Sequence, residues 1–347
     1  MVNANNQVLR DGAARLGYAT ALLSHNRRDC LKSGFCTLGC SFDAKENALK
    51  VMVPRAVRAG ATVLADCRVD GVEVAGGRAV RVRARDVVVE AEIVCVAAGA
   101  LDTPVLLRKS GLPDPHGVTG RHLHLHPGVA VAGVMERVIQ GWIGIPQSIE
   151  CTQFQREGVW IVPAFAHPIA SATMLPGFGD EHARWMALYP RLAVLTPMIH
   201  DQAEGVVTAE DGRPRIHYTP TDTDRRTLAL GIRECARILF AAGARQVILP
   251  FNEPVILDEP RAAEAIDEHD LGPRRLMLTA VHPMGTARMG GDPRSSVVDA
   301  RGRHHTIDNL YIADASLFPS ALGGPPQLTV YALAMHVARS IAARLGA

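Results

Sequence analysis

No apolar run in this 347-residue sequence is long enough to cross a bilayer, so no membrane-spanning helix is expected. The opening residues, M-V-N-A-N-N-Q, lack the charged-then-apolar order of a secretory signal, which makes the cytoplasm the default expectation. Charge of one sign is not in excess: 37 Lys and Arg stand against 35 Asp and Glu, a net of +2, and nothing points to a nucleic-acid partner. Cysteine is sparse. Cys30, Cys36, Cys40, Cys67, Cys95, Cys151 and Cys235 are odd in number and scattered, against a secreted disulfide framework. No internal repeat stands out, which argues against a solenoid. What remains is a globular composition, 48% hydrophobic and 21% charged, with enough chain for one large or two ordinary domains around a real core.

The hydrophobic pattern predicts mixed architecture. Residues 7–23 read as a weak amphipathic helix with Leu9, Ala13 and Leu16 on one face and Gly17 as its stop. Pro54 fits the first turn of a short helix that ends before Gly60. Residues 61–74 alternate, and Gly76-Gly77 marks a hairpin turn into Ala79–Ala84, with Val87–Glu90 as a further strand. Ile93–Ala97 is a continuous apolar run, as in a parallel strand buried on both faces, and a helix is expected to start at Thr103-Pro104. Residues 130–220 hold several short strand-like runs broken by Gly and Pro, a pattern that fits an antiparallel sheet. The clearest helix is Thr221–Ala242, with Leu228, Ile232, Cys235 and Leu239 in one stripe and Gly243 at its end. Residues 256–275 are polar and read as a surface connection.

Chemistry concentrates near the C-terminus. His282 opens a Gly-rich loop; the apolar run Leu310–Ala313 leads into Asp314; a Gly/Pro turn then opens a final helix. Strand, turn and helix in that order aim backbone N–H groups and a helix N-terminus at one place, suited to an anionic or electron-rich ligand. A histidine beside it is the commonest proton-transfer group at neutral pH. Two smaller clusters allow metals. Cys30, Cys36 and Cys40, with five and three residues between them, suit an iron–sulfur cluster or else are small thiols in a tight loop. His122, His124 and His126 alternate, so in a strand they would share one face and could hold zinc.

The blocks H-P-M-G-T-A-R-M-G, V-V-D, N-L-Y-I-A-D-A-S-L-F-P and P-Q-L-T, in this order, resemble the C-terminal signature of the glucose-methanol-choline (GMC) flavin oxidoreductases. The runs C-L-K-S-G-F-C-T-L-G-C and A-A-G-A…T-P-V-L-L…S-G-L are similar to earlier blocks of the same family. Some family members with an electron-transfer subunit carry a three-iron cluster at cysteines like these, and many carry none. The resemblance implies an FAD enzyme that oxidises a small-molecule alcohol, with His282 facing the flavin and taking the hydroxyl proton. It places Val69 at the adenine, Gly99 near the FAD, Asp314 and Ala315 at the diphosphate and ribityl, and Gln327 and Thr329 along the ring edge. Gly285 and Thr286 would shape the loop beside the ring.

Two departures stand out. Where the family has Asn or His opposite the catalytic histidine, this chain has Pro325, which offers no side-chain hydrogen bond; His304, His305 and His336 are not at the matching place. No G-x-G-x-x-G follows a strand, although the family begins with that diphosphate-binding fingerprint. The expected class is α/β with α+β elements: an incomplete FAD-binding Rossmann-like domain plus an antiparallel-sheet substrate domain. Residues 1–128 are expected to form the partial FAD-binding domain, 129–278 the substrate domain, and 279–347 a catalytic segment returning to the first. A second chain supplying the missing segment is one expectation. The alternative is a non-catalytic remnant or association module that uses an exposed sheet edge.

Overall fold

The computed structural model describes residues 2–164, 167–253, 255–266 and 271–346. The chain divides into two compact units, each built from three separated stretches.

The first unit comprises Met1–Val63, Pro127–Ile199 and Asp222–Thr279. Its frame is a seven-stranded antiparallel sheet in the order Thr20–Leu22, Ile149–Cys151, Val159–Pro163, Leu192–Ile199, Val131–Met135, Ala244–Leu249, Val255–Leu257. Side chains of a strand alternate between faces, and here the alternation separates two cores. Val131, Ala193 and Leu195 point to one face, where they meet Leu228, Ile232, Cys235 and Leu239 of the helix Asp222–Ala241 and Val8 and Leu9 of the helix Ala4–Arg15. Ala132, Val134, Leu192 and Ile248 point to the other, towards Trp185 and Tyr189. The stripe on Asp222–Ala241 is fully buried, so truncating Leu228 or Ile232 to Ala removes contacts worth about 2–5 kcal/mol each.

The second unit comprises Leu64–His126, His200–Thr221 and Ala280–Ala347. Val94–Val96 pairs in parallel with Leu310–Ile312, as the apolar run Ile93–Ala97 predicts, but Val94 and Val96 are buried while Cys95 between them is exposed, so this strand is buried on one face and not on both. A meander of Gly71–Ala75, Arg78–Ala84 and Val87–Glu90 lies beside them, tied by the buried Asn309. The Asn309 side-chain amide donates to the carbonyls of Ala79 and Glu92, and its oxygen accepts from the Ala79 N–H. The helices Gly99–Lys109 and Gln327–Leu345 and the hairpin Val206–Glu210/Arg213–His217 complete the unit.

Several expectations change. Residues 1–63 fall in the first unit rather than with 64–128, because Val8, Leu9 and Ala13 are buried there and Thr20–Leu22 forms an edge strand of the large sheet. Residues 200–221 fall in the second unit. The helix with Pro54 starts earlier, at Ala48, where Asn47 caps it by accepting from the Lys50 N–H, so Pro54 is interior. No strand precedes Gly71 in residues 61–70. The helix expected at Thr103 begins at Gly99. Within 256–275, of which 267–270 lie outside the described residues, Ala263, Ile266 and Leu271 are buried in the first unit's core rather than at the surface.

Candidate active site

All residues of the candidate site lie in the second unit. The strand Leu310–Ile312 delivers Asp314 to the start of a short helical turn, Ala315–Leu317. One Asp314 oxygen accepts from the Ser316 N–H at 2.7 Å; the other accepts from the Gly99 N–H at 2.9 Å and from Thr103 Oγ1 at 2.6 Å. A carboxylate thus sits at the N-terminus of the helix Gly99–Lys109, where unpaired N–H groups and the helix dipole favour negative charge. Gly99 takes a φ of +87°, which a residue with a side chain adopts only under strain.

The segment carrying His282 runs beside this turn. Gly285 donates to the Ala315 carbonyl, Ala287 to Ser316 and Met289 to Leu317. Thr286 is fully buried and its hydroxyl donates to the Ala100 carbonyl at 2.5 Å. Gly285 is obligatory on two counts: its φ is +89°, and a Cβ would lie 2.4 Å from the His122 carbonyl oxygen. The structure therefore brings Gly99, Asp314, Ala315, Gly285 and Thr286 into one hydrogen-bonded cluster. Val69 lies on the wall of an adjoining cleft of about 670 Å³, shared with Cys95, Ala97 and Ala98. Gln327 and Thr329 occupy the first turn of the last helix, where the Gln327 amide donates to Tyr331 Oη one turn on.

His282 has a partly buried ring whose Nδ1 is shielded and has no hydrogen-bond partner among the described residues. Burial pushes its pKa below the ordinary histidine value, so the ring is neutral at neutral pH. The His126 ring meets it edge to face, with centroids 5.6 Å apart, and His200 lies 6.3 Å from His126. His126 is nearly inaccessible, and its Nε2 accepts from the N–H groups of Leu322 and Gly323 at 3.2 and 2.9 Å. That assigns its proton to Nδ1. Burial, against an opposing pull from Asp201, holds its pKa at about 4.

Asp201 fixes this histidine loop. Its buried carboxylate accepts from the N–H groups of Leu125 and His126 and from Tyr218 Oη, with His124 Nδ1 at 3.8 Å. Burial would raise its pKa, but His124 and these donors outweigh it and hold the carboxyl below its usual range. Sequence reasoning missed Asp201, Tyr218 and His200. The available signal was the polar pair His200-Asp201 directly after an apolar strand.

The other histidines and cysteines are placed differently from expectation. His122 and His126 take left-handed φ values of +62° and +49°, so 120–127 is not a strand and the three histidines do not share a face. His122 Nδ1 pairs with Glu204 at 2.7 Å, while His124 and His126 have the separate partners given above. His304 is buried, with Nδ1 facing the N–H groups of Thr306 and Ile307; His305 bonds Ser296 Oγ, and His336 bonds the Ala300 carbonyl. Cys30, Cys36 and Cys40 are free thiols in the first unit, and among the described residues no group of three or more His, Cys, Asp or Glu side chains is arranged to hold a metal ion. The Cys36 thiol is pushed up by burial and by its two neighbours, and the Cys40 thiol is lowered by backbone donors at Ala44 and Lys45. No helix among the described residues is long and apolar enough to cross a membrane.

Comparison with known proteins supplies the family. A GMC-type oxidoreductase of Mycobacterium tuberculosis is 33% identical over 352 residues, covering 99% of this chain and 56% of that protein. A long-chain-alcohol oxidase of Arabidopsis thaliana is 28% identical and covers 97% of this chain and 50% of its own length. The chain thus spans about half the length of these relatives. Among solved structures, pyridoxine 4-oxidase from Mesorbium loti superposes with a TM-score of 0.70 at 21% identity, covering 97% of this chain and 69% of that one. The formate oxidase of Aspergillus oryzae does so with 0.69 at 14%, covering 98% and 70%; these two likenesses concern the fold. The N-terminal part of the GMC oxidoreductase family matches residues 1–128 and its C-terminal part residues 201–334, and with these two matches in order the chain belongs to the GMC oxidoreductases.

Proposed function

We propose that this chain carries the catalytic base and part of the flavin site of an FAD-dependent alcohol oxidoreductase acting on a CH–OH group. In this reading the second unit is the flavin-binding half and the first is the substrate half. The observation that carries the reading is His282: a neutral, partly buried imidazole with an unpartnered Nδ1, on the loop hydrogen-bonded to the Asp314 turn. Three buried side-chain atoms lack a hydrogen-bond partner among the described residues, His282 Nδ1, His124 Nδ1 and Ser316 Oγ; for the histidine on the loop beside the Asp314 turn, proton transfer is the role that suits its ring.

The residues present fit part of an FAD. The cleft beside Val69 is lined by apolar residues such as Val72, Val94 and Leu106 together with the charged Arg68, Asp102 and Lys109, and it exposes Ala97 and Ala98 just before the Gly99 helix. Val69, Gly99, Asp314 and Ala315 would hold the adenine-to-ribityl part, and Gln327 and Thr329 the ring edge. Ser316 Oγ, fully buried and unpartnered among the described residues, is a further polar group on that turn. FAD, when bound, accepts a hydride at its N5. His282 accepts the proton of the alcohol hydroxyl, which a neutral ring does and an imidazolium does not. His126 holds the Leu322–Gly323 backbone before the last helix and packs on the His282 ring, limiting its rotation. The missing fingerprint segment, which the proposal requires for tight FAD binding, would come from outside these 347 residues, for example from a second chain.

The test is a visible spectrum of the purified chain before and after incubation with excess FAD and removal of unbound dye. Retained flavin bands, bleached by an alcohol in the wild type and not in His282→Ala, are expected. A second reading, an association module, is favoured by Val94–Val96, which pairs only with Leu310–Ile312 among the described strands. A colourless protein that takes up no FAD, alone or mixed with a chain bearing the fingerprint, would favour that reading.

A further inference from the structure

The first unit contains a second cavity, separate from the His282 cluster in composition and made entirely of first-unit residues. Its volume is about 300 Å³. One wall is the face of the large sheet turned away from the helix Asp222–Ala241, where Ala132, Val194 and Ile248 point outward. The opposite side includes Trp142, which stacks on Tyr189 with ring centroids 5.0 Å apart and planes 11° from parallel. Small residues line the space on the sheet side: Ala132 faces it where the next residue on the same face of the strand, Val134, is larger.

The lining has no charged side chain among the described residues. Its Asn5 is spent internally, donating to the carbonyls of Ala164 and Val194 and accepting from the Val194 N–H. Asn252 donates to the Arg274 carbonyl. The remaining polar side-chain groups are the Trp142 indole N–H and the Ser171 and Tyr189 hydroxyls, whose oxygens are 2.7 Å apart. A serine hydroxyl has one proton and two lone pairs, so Ser171 keeps hydrogen-bonding capacity after that contact. A wall of this kind repels an ion, which would be desolvated without a partner, and accepts an apolar body with one neutral polar end. An apolar cavity of 150 Å³ holds benzene, so about 300 Å³ suits a molecule of roughly eight to ten carbons.

The geometry points to a binding site for an uncharged, mainly apolar small molecule of that size, carrying a single hydroxyl or carbonyl that Ser171 meets. The site stands on the first unit alone and does not require FAD or His282.

Octan-1-ol and octanoate are the probes, titrated against the full chain by calorimetry and by tryptophan fluorescence. Saturable 1:1 binding of octan-1-ol is expected, with octanoate at least tenfold weaker at pH 8. Ala132→Leu, which fills the cavity from the sheet side, should weaken octan-1-ol at least tenfold. Ser171→Ala should weaken it less than tenfold. Trp142→Phe should remove most of the fluorescence response while calorimetry still reports binding. If Ala132→Leu does not fold, the octanol-to-octanoate ratio on the wild type decides. Absence of saturable octan-1-ol binding, or equal binding of octanoate, overturns the proposal, as does unchanged affinity in a folded Ala132→Leu. Octan-1-ol binding without any flavin bleaching would leave this site standing and count against the oxidoreductase reading instead.

Discussion

Acid should destabilise the second unit through two histidines that the fold holds neutral. His126 and His304 both have pKa values held down to about 4, in each case mainly by burial. Hydrogen-bond geometry gives the same direction independently. His126 Nε2 accepts from two backbone N–H groups, and so does His304 Nδ1. Protonating either nitrogen would set a proton against two donors. In the unfolded chain both rings titrate near 6.5. The folded pKa is therefore the lower one, and the unfolded state takes up protons first. The stabilisation is complete above the unfolded value and is lost as the pH falls from about 6.5 towards about 4.

Integrating that difference from pH 7 to pH 5 gives about 2 kcal/mol per histidine, roughly 4 kcal/mol for the pair. Domains are commonly stable by roughly 5–15 kcal/mol, so the loss is large enough to measure. The assay is urea denaturation at half-unit pH steps, on the wild type and on His126→Gln and His304→Asn. In those variants an amide oxygen replaces the acceptor nitrogen and does not titrate. Each single variant should flatten the curve by about 2 kcal/mol between pH 7 and 5, and the double variant by about twice that. Curves as steep in the double variant as in the wild type would refute the reasoning. So would an NMR titration of the His126 ring in the folded protein with a midpoint near 6.5.

Asp201→Asn should destabilise the protein by about 2–3 kcal/mol in denaturant melts, because a fully buried acceptor of two backbone N–H groups and Tyr218 Oη becomes a weaker and partly mismatched one. Gly285→Ala should cost at least about 2 kcal/mol by the same measurement, from its positive φ and the close His122 carbonyl. If the proposed chemistry holds, the rate of flavin reduction by alcohol should fall on the acid side with a midpoint below the ordinary histidine value, because burial lowers the His282 pKa. Iron analysis of anaerobically prepared protein should find none, since Cys30, Cys36 and Cys40 are not gathered into a metal-holding group.

Local pattern made much of the fold legible. The stripe Leu228, Ile232, Cys235, Leu239 reads directly as the helix that covers the large sheet, and the runs at 94–96 and 310–312 read as strands that do pair in parallel, although Cys95 is exposed and the first run is not buried on both faces. Their partners were harder, since pairing is a long-range property. Asp314 and Gly99 each belong to a visible motif, but the hydrogen bond between them spans 215 positions and no spacing rule contains it. The same limit explains the N-terminal stretch: Thr20–Leu22 reads as an ordinary continuation of a helix until its pairing with Ile149–Cys151 is known. Conformation rather than pairing defeated the reading of His122, His124 and His126. Alternation places side chains on one face only if the backbone is extended, and left-handed residues at His122 and His126 send each ring to a different partner. The backbone bend at His126 is held by Asp201, from a separate stretch of the chain. A histidine counted in sequence as a possible metal ligand is thereby made into the ring that packs on His282, and its neutrality follows from burial and two backbone donors that no local motif reveals.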